Sequence, residues 1–330
     1  MNTFKIITAQ FVKRLTNKRE GETKLGETVQ IISEKNWEAA LKNCEAKFVL
    51  VGIPEDIGVR ANYGIGGAHT LFEPALKTLL NVQETKSLKG NDLLVLGNFD
   101  LENLMKISAG KSIKELRNIV AAIDDIVAPV IETIIKSGKI PIIIGGGHNN
   151  AYPILKGCSR ALKKPLNCIT MDAHSDYRII EGRHSGNGFR YAKMDGYLKK
   201  YSIIGLHENY NSQNIIDDLH SDKDIQFTTY EDIFVHEKKD FKTVLNNAVR
   251  FTKNTATGIE LDLDSVENVL SSAATPCGIS VLNARKYITH LARFAEVSYL
   301  HITEGVEKLD DNSENKMTAK LTSYLITDLI

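Results

Sequence analysis

The pattern of apolar and polar positions changes character near Phe48. From there, short runs rich in β-branched residues alternate with longer stretches in which apolar residues recur every three or four positions. The short runs are those of strands buried on both faces and the long ones those of covering helices, so the alternation predicts a parallel sheet with crossover helices. Strands are predicted at Phe48–Gly52, Asp92–Leu96, Ile140–Ile144, Leu166–Met171, Tyr201–Gly205, Ile225–Thr228, Thr257–Asp262 and Ser298–Ile302. The clearest helix is predicted over Ile113–Lys136. Ser112 stands at its cap position with Glu115 three residues on, Leu116, Ile119, Val120, Ile123, Ile126 and Val127 share one face, and Ser137-Gly138 closes it. Further helices are predicted near Ala151–Lys163, Asn283–Ala295 and Ala319–Ile330. No linker or fixed-period repeat interrupts the alternation. The expectation is one three-layer α/β/α domain over residues 48–330, with a mostly parallel sheet of about eight strands, preceded by an irregular or helical extension at residues 1–47.

Composition works mainly by exclusion. With 330 residues, 42% hydrophobic and 25% charged, the chain can bury a large core and is not of a disordered type. A formal net charge of +0 leaves no field to recruit nucleic acid or an anionic membrane, so the expected partner is a small molecule. Cys44, Cys158, Cys168 and Cys277 lie far apart without CxxC spacing, which suits reduced thiols in the cytoplasm. The N-terminal residues lack a signal-peptide pattern and no 18-residue apolar run occurs. A cytoplasmic protein without a membrane span is expected.

Three polar runs change the picture, because each sits at the end of a predicted strand. They are Gly145-Gly146-Gly147-His148, Asp172-Ala173-His174-Ser175-Asp176 and Asp262-Leu263-Asp264. Side chains leaving the C-terminal ends of neighbouring parallel strands converge on one crevice, where open α/β sheets place their sites. In extended chain, positions i, i+2 and i+4 face one way, so Asp172, His174 and Asp176 share a locus, as do Asp262 and Asp264, with Glu260 before them on the same face. Carboxylates crowded at a buried strand end repel one another unless protonated or bound to a cation. The glycine run alone is equally a plain turn, and it completes neither GxxxxGK[ST] nor GxGxxG. Four carboxylates and two imidazoles without a thiolate suit a hard to borderline divalent ion such as Mn²⁺ better than structural zinc. The direct expectation is a hydrolytic centre with two Mn²⁺ ions, in which a bridging water becomes acidic enough to act as hydroxide.

These runs, in this order, resemble the ureohydrolase family of arginases, agmatinases and formimidoylglutamases. The resemblance extends from about Val49 to Val306 and takes in the loop Val51-Gly52-Ile53-Pro54-Glu55-Asp56-Ile57-Gly58 and the stretch from Gly66-Gly67-Ala68 to Pro74. It implies an arginase-like fold, hydrolysis of a C–N bond in an amidino or guanidino compound, and a trimeric or hexameric assembly. It assigns His148, Asp172, His174, Asp176, Asp262 and Asp264 as the ligands of the two Mn²⁺ ions, with Asp176 also catalytic. It makes Glu304 the carboxylate that holds the cationic end of the substrate.

Departures narrow the substrate. Ser265-Val266-Glu267 follows Asp264 where the family usually has a third aspartate, and Phe189 takes the place of the arginase proton-shuttle histidine. Arg178 and Ser185-Gly186-Asn187-Gly188-Phe189 look more like formimidoylglutamase, whose substrate carries two carboxylates; Arg178, with Arg190 as a second candidate, would pair with one of them. His184 is the expected shuttle. Ser185 and Asn187 stand as in arginases, which keeps L-arginine and other guanidino acids open. A catalytically silent metal-binding homologue and a single-zinc deacetylase of related fold are the competing classes. His207 ends a strand and is a further candidate for the pocket wall, as is His69.

Overall fold

The computed structural model describes residues 3–33 and 36–330; within the predicted extension, residues 1, 2, 34 and 35 lie outside the described residues. Among the described residues nine strands form one sheet: β1 Phe4–Ile6, β2 Phe48–Gly52, β3 Leu93–Phe99, β4 Ile140–Ile144, β5 Leu166–Met171, β6 Leu198–Leu206, β7 Ile225–Thr229, β8 Thr257–Asp262 and β9 Val297–Thr303. Their spatial order is β1-β3-β2-β4-β9-β8-β5-β6-β7. Every pairing is parallel except β1 with β3. The sheet is therefore the expected one with an added edge strand. Sequence reading missed β1 because three residues are too few to show alternation; it forms by pairing Phe4 and Ile6 with Phe99 and Gly97 and burying both side chains.

Alternation along the buried strands sends successive side chains to opposite faces and builds two cores. Phe48, Leu50, Ile142, Ile144, Ile169 and Met171 pack on one side with helices Phe72–Leu80, Phe241–Thr252, Val281–Phe294 and Met317–Leu329. Val49, Val51, Ile143, Leu166 and Cys168 pack on the other with Ile113–Lys136 and Ala151–Leu162. The long helix has the expected bounds: Ser112 Oγ accepts the Glu115 N–H, and Glu115 Oε2 accepts the Ser112 N–H at 3.0 Å, a reciprocal cap. Ala151–Leu162 stops where Lys163 turns left-handed at φ 55°. Among the described residues no helix is long and apolar enough to cross a membrane, and all four cysteines are free.

The order β4-β9-β8-β5 matters most for function. These adjacent central strands arrive from distant parts of the chain, and β8 and β9 insert between β4 and β5. Their C-terminal ends carry His148, Glu304, the Asp262/Asp264 pair and the Asp172–Asp176 run respectively.

Candidate metal centre

Beyond β4 the chain turns sharply through Gly145 and Gly146, both at positive φ (85° and 77°), and a Cβ on Gly146 would fall 2.4 Å from Asn150 Nδ2. A glycine is required there. The loop is then riveted from beneath by Glu55, a carboxylate with no solvent exposure. Its Oε1 accepts from Gly147 N, Asn149 Nδ2 and Asn150 Nδ2 at 3.2, 3.1 and 2.6 Å, and its Oε2 from Ile57 N and Gly58 N at 2.7 and 3.2 Å. The two aspartate runs are locked locally in the same way. Asp172 Oδ1 accepts the His174 N–H at 2.7 Å, and Asp262 Oδ1 accepts the Asp264 N–H at 2.9 Å. Each strand end is thereby held in a turn that points its polar side chains into the crevice.

All six predicted ligands are brought together. His148 Nδ1 lies 3.1, 2.8 and 3.0 Å from Oδ2 of Asp172, Asp176 and Asp262. His174 Nδ1 lies 3.2 Å from Asp264 Oδ2 and 3.6 Å from Asp172 Oδ1. Two groups with metal-ligand spacing result, His148–Asp172–Asp176–Asp262 and Asp172–His174–Asp264, and they share Asp172, one oxygen turned to each. Asp176 and Glu304 hold left-handed backbone conformations (φ 45° and 58°), which are uncommon for non-glycine residues.

The donor set fits a pair of divalent cations on physical grounds. Both ring nitrogens of His148, Asp172 Oδ2 and Asp264 Oδ1 are buried without a hydrogen-bond partner. Buried polar atoms of this kind need an explanation, and among converging carboxylates and imidazoles a bound cation supplies one. The electrostatics agree. Burial, then the charges of Asp264 and Asp172, pushes Asp262 well above the ordinary carboxylate range. Burial and Asp172 raise Asp176 to about 6, and burial with Asp264 raises Glu304 to about 8. Burial opposes charge on His148 and His174 as well, yet their carboxylate neighbours outweigh it and hold both rings well above the usual histidine value. Such a cluster is short of positive charge, and divalent cations supply it.

His174, Asp176, Asp262 and Asp264 of this cluster line the floor of a cavity of about 590 Å³. Glu304 reaches this floor from β9, with Oε1 accepting the His148 N–H at 2.8 Å. At the mouth stand Asn62, Tyr63, Arg178, Ser185, Tyr210 and Asn211, and Arg178 is the one Lys or Arg among the described lining residues. Its guanidinium is half exposed and makes a 3.4 Å contact with Glu181 Oε1.

Three expected contacts are not brought into the cavity. Asn187 is fully buried, its Oδ1 accepting from Arg183 Nη1 and His184 N and its Nδ2 donating to the Gly182 carbonyl, so it braces the loop. His184 accepts the Gly186 N–H on Nδ1 and sets Nε2 3.3 Å from Glu181, with its side chain sealed from solvent. Burial and the nearby Arg117 lower its pKa to about 4, so near neutrality the ring is the neutral imidazole and not an imidazolium acid. Arg190 is tied to the Tyr177 carbonyl and, at 2.5 Å, to Asp218. His207 is buried between the rings of Tyr210 and Tyr230, and His69 pairs with Asp56 at 2.6 Å. Sequence reading passed over Glu55, Asn62 and Tyr210. Only Glu55 left a signal, a carboxylate directly after a strand and a proline, and its five donors become visible only once the β2 and β4 loops are adjacent.

Comparison with known proteins agrees with this geometry. A family model described as the arginase family matches residues 46–330. A formimidoylglutamase of Streptococcus pyogenes serotype M3 is 28% identical over 291 residues, 84% of each chain. Among solved structures, formimidoylglutamase from Bacillus subtilis superposes with a TM-score of 0.73 at 17% identity, covering 95% of this chain and 92% of that one. Trypanosoma cruzi formiminoglutamase with Mn²⁺ superposes with a TM-score of 0.71 at 18% identity, covering 93% and 97%.

Proposed function

The chain belongs to the arginase family, whose ureohydrolases are metal-dependent hydrolases acting on C–N bonds, and from that premise we propose that it hydrolyses N-formimidoyl-L-glutamate to glutamate and formamide. The observation that carries the proposal is the pair of ligand groups sharing Asp172 beneath a cavity whose mouth offers Arg178. The names of the curated relatives support the same substrate.

His148, Asp172, Asp176 and Asp262 would hold one Mn²⁺, and Asp172, His174 and Asp264 the other. Ions held there would supply Lewis-acid chemistry and an activated water at neutral pH. The remaining steps belong to the chain's own groups. Glu304, anchored on one oxygen by the His148 N–H, lines the cavity; cations at the centre would offset the Asp264 charge that raises it, leaving it ionised to hold the amidinium in place. Asp176 lines the cavity, and its carboxylate is the group placed to take a proton from the attacking water and pass it to the leaving nitrogen. Arg178 pairs with a substrate carboxylate at the far end, and Asn62 and Ser185 offer neutral donors for the second. Trimeric or hexameric assembly remains part of the proposal and is checked by light scattering.

The test is a substrate panel with Mn²⁺-loaded protein. The expected result is the highest kcat/KM on N-formimidoyl-L-glutamate among that compound, L-arginine, agmatine, guanidinobutyrate and guanidinopropionate. A higher kcat/KM on L-arginine would move the assignment to an arginase, and turnover of none would leave a silent homologue.

A further inference from the structure

Glu260 obeys the same alternation as Asp262 and Asp264, so on sequence alone it counts as a third carboxylate of the ligand face. The structure gives it different company. It is fully buried in β8 and paired in register with His301 of β9. Its Oε1 accepts the Tyr299 hydroxyl at 2.7 Å, while its Oε2 lies 2.6 Å from His301 Nδ1 and 3.4 Å from His148 Nε2. His301 Nε2 faces the Gly145 carbonyl at 3.3 Å. A carbonyl only accepts, so Nε2 carries a hydrogen, and a further proton lies between His301 Nδ1 and the Glu260 carboxylate. Glu260 does not line the cavity and belongs to neither of the two groups around Asp172.

The trio His148–Glu260–His301 also has the spacing of a metal site. A third ion there is poorly served: both Glu260 oxygens and both His301 nitrogens already have polar partners, and neither residue lines the cavity. What the trio does control is the His148 ring. Nδ1 faces three carboxylates, and it can give its lone pair to a cation only when the ring proton sits on Nε2. Nε2 has no hydrogen-bond partner, and the charged group facing it is Glu260, at a distance longer than a well-formed hydrogen bond. We propose that Glu260, braced by Tyr299 and His301, is the positioning carboxylate of the metal centre, keeping the His148 proton on Nε2 so that Nδ1 is free for the ion shared with Asp172, Asp176 and Asp262. This rests on the two-ion reading of the centre.

The test compares the wild type with Glu260→Gln, which keeps the volume and the oxygen that accepts from Tyr299. In calorimetric titration with Mn²⁺, one of the two ions should bind about 10- to 100-fold more weakly in the variant and the other with unchanged affinity. Long-range ¹H–¹⁵N spectra of the histidine rings, with His148→Asn identifying the signals, should show the Nε2–H tautomer in the wild type and a mixture of tautomers in Glu260→Gln. A purely structural role would move neither the single-site affinity nor the tautomer. If Glu260→Gln does not fold, Tyr299→Phe decides, with an expected loss of about fivefold at the same site for one missing hydrogen bond. Unchanged affinities and tautomer overturn the proposal, and so does a third Mn²⁺ equivalent that disappears in Glu260→Gln, which would make Glu260 a ligand. Failure of the wild type to bind Mn²⁺ sinks the centre itself, a result separable from normal wild-type binding with an unchanged variant.

Discussion

The floor and the mouth of the cavity are built on opposite principles. At the floor, His148, Asp172, Asp262, Asp264 and Glu304 leave the ends of four adjacent strands, each no more than 6% exposed. Backbone register places them, and the loop behind His148 and both aspartate runs are pinned by short hydrogen bonds. At the mouth, Tyr63, Ile179 and Tyr210 sit on loops with exposures of 75%, 61% and 39%, and Arg178 has a single long contact with Glu181. On the proposed function the strand ends would carry the chemistry and the exposed loops the choice of substrate, a division common to enzymes on this kind of scaffold.

The sharpest way to break that division is at the floor. Asp262→Asn keeps the volume but removes a charged ligand, and it should lower both Mn²⁺ content, by elemental analysis, and kcat/KM by about 100-fold or more, with the circular dichroism unchanged. A variant that keeps its metal and turnover would show that Asp262 is no ligand. The corresponding change at the mouth, Arg178→Ala, should leave metal content untouched. It should lower kcat/KM on carboxylate-bearing substrates by about 10- to 100-fold, the worth of a charge-assisted bond, and barely affect agmatine. Equal losses on both kinds of substrate would make Arg178 a structural residue.

The same division explains what was legible in the sequence. The three ligand runs were readable because an acidic or histidine-rich strand end stands out against apolar runs; the extended alternation expected within them is not what forms, since Leu263–Ser265 is a 3₁₀ turn and Asp176 is left-handed at φ 45°, and these turns bring the same side chains together. The Glu260–His301 contact was not readable. Each residue is one polar position inside an apolar strand, and the pairing exists only because β9 lies beside β8, an adjacency that alternation does not specify. Asn187 and His184 misled because motif position says nothing about which way a loop residue turns; both are consumed in bracing their own loop. The edge strand β1 was missed because its signal is pairing with β3 rather than pattern.

A pH comparison sharpens the floor further. Glu304, at about 8, and His148 and His174, well above the usual histidine value, hold protons more tightly in the folded than in the unfolded chain. Their contribution to stability is present at lower pH and is lost as pH rises through those folded values. Protein stripped with a chelator should therefore melt at a higher temperature at pH 6.5 than at pH 8.5, and saturating Mn²⁺ should remove or reverse the difference. The mouth adds little to this slope: burial raises Glu181, but Arg117, His184 and Arg178 outweigh it, so it is ionised across the range. A flat profile for the stripped protein would mean that the floor carries no such electrostatic strain.

The smallest expected effects belong to the residues that turned away from the cavity. Asn187→Ala should cost about 1–3 kcal/mol of stability in denaturant unfolding, the penalty for stranding buried donors and an acceptor, with KM nearly constant. His184→Asn keeps an acceptor for the Gly186 N–H and should hold kcat within about threefold. A loss of about 100-fold or more, the usual cost of removing a general acid, would restore His184 as the shuttle.

The central claim is that adjacent strand ends, with the pinned turns that follow them, assemble a centre for two ions around a shared Asp172. Anomalous diffraction at the manganese edge, from crystals grown with Mn²⁺, tests it directly. The account predicts two peaks, one among His148, Asp172, Asp176 and Asp262 and one among Asp172, His174 and Asp264. A single peak, or none within reach of Asp172, would contradict it.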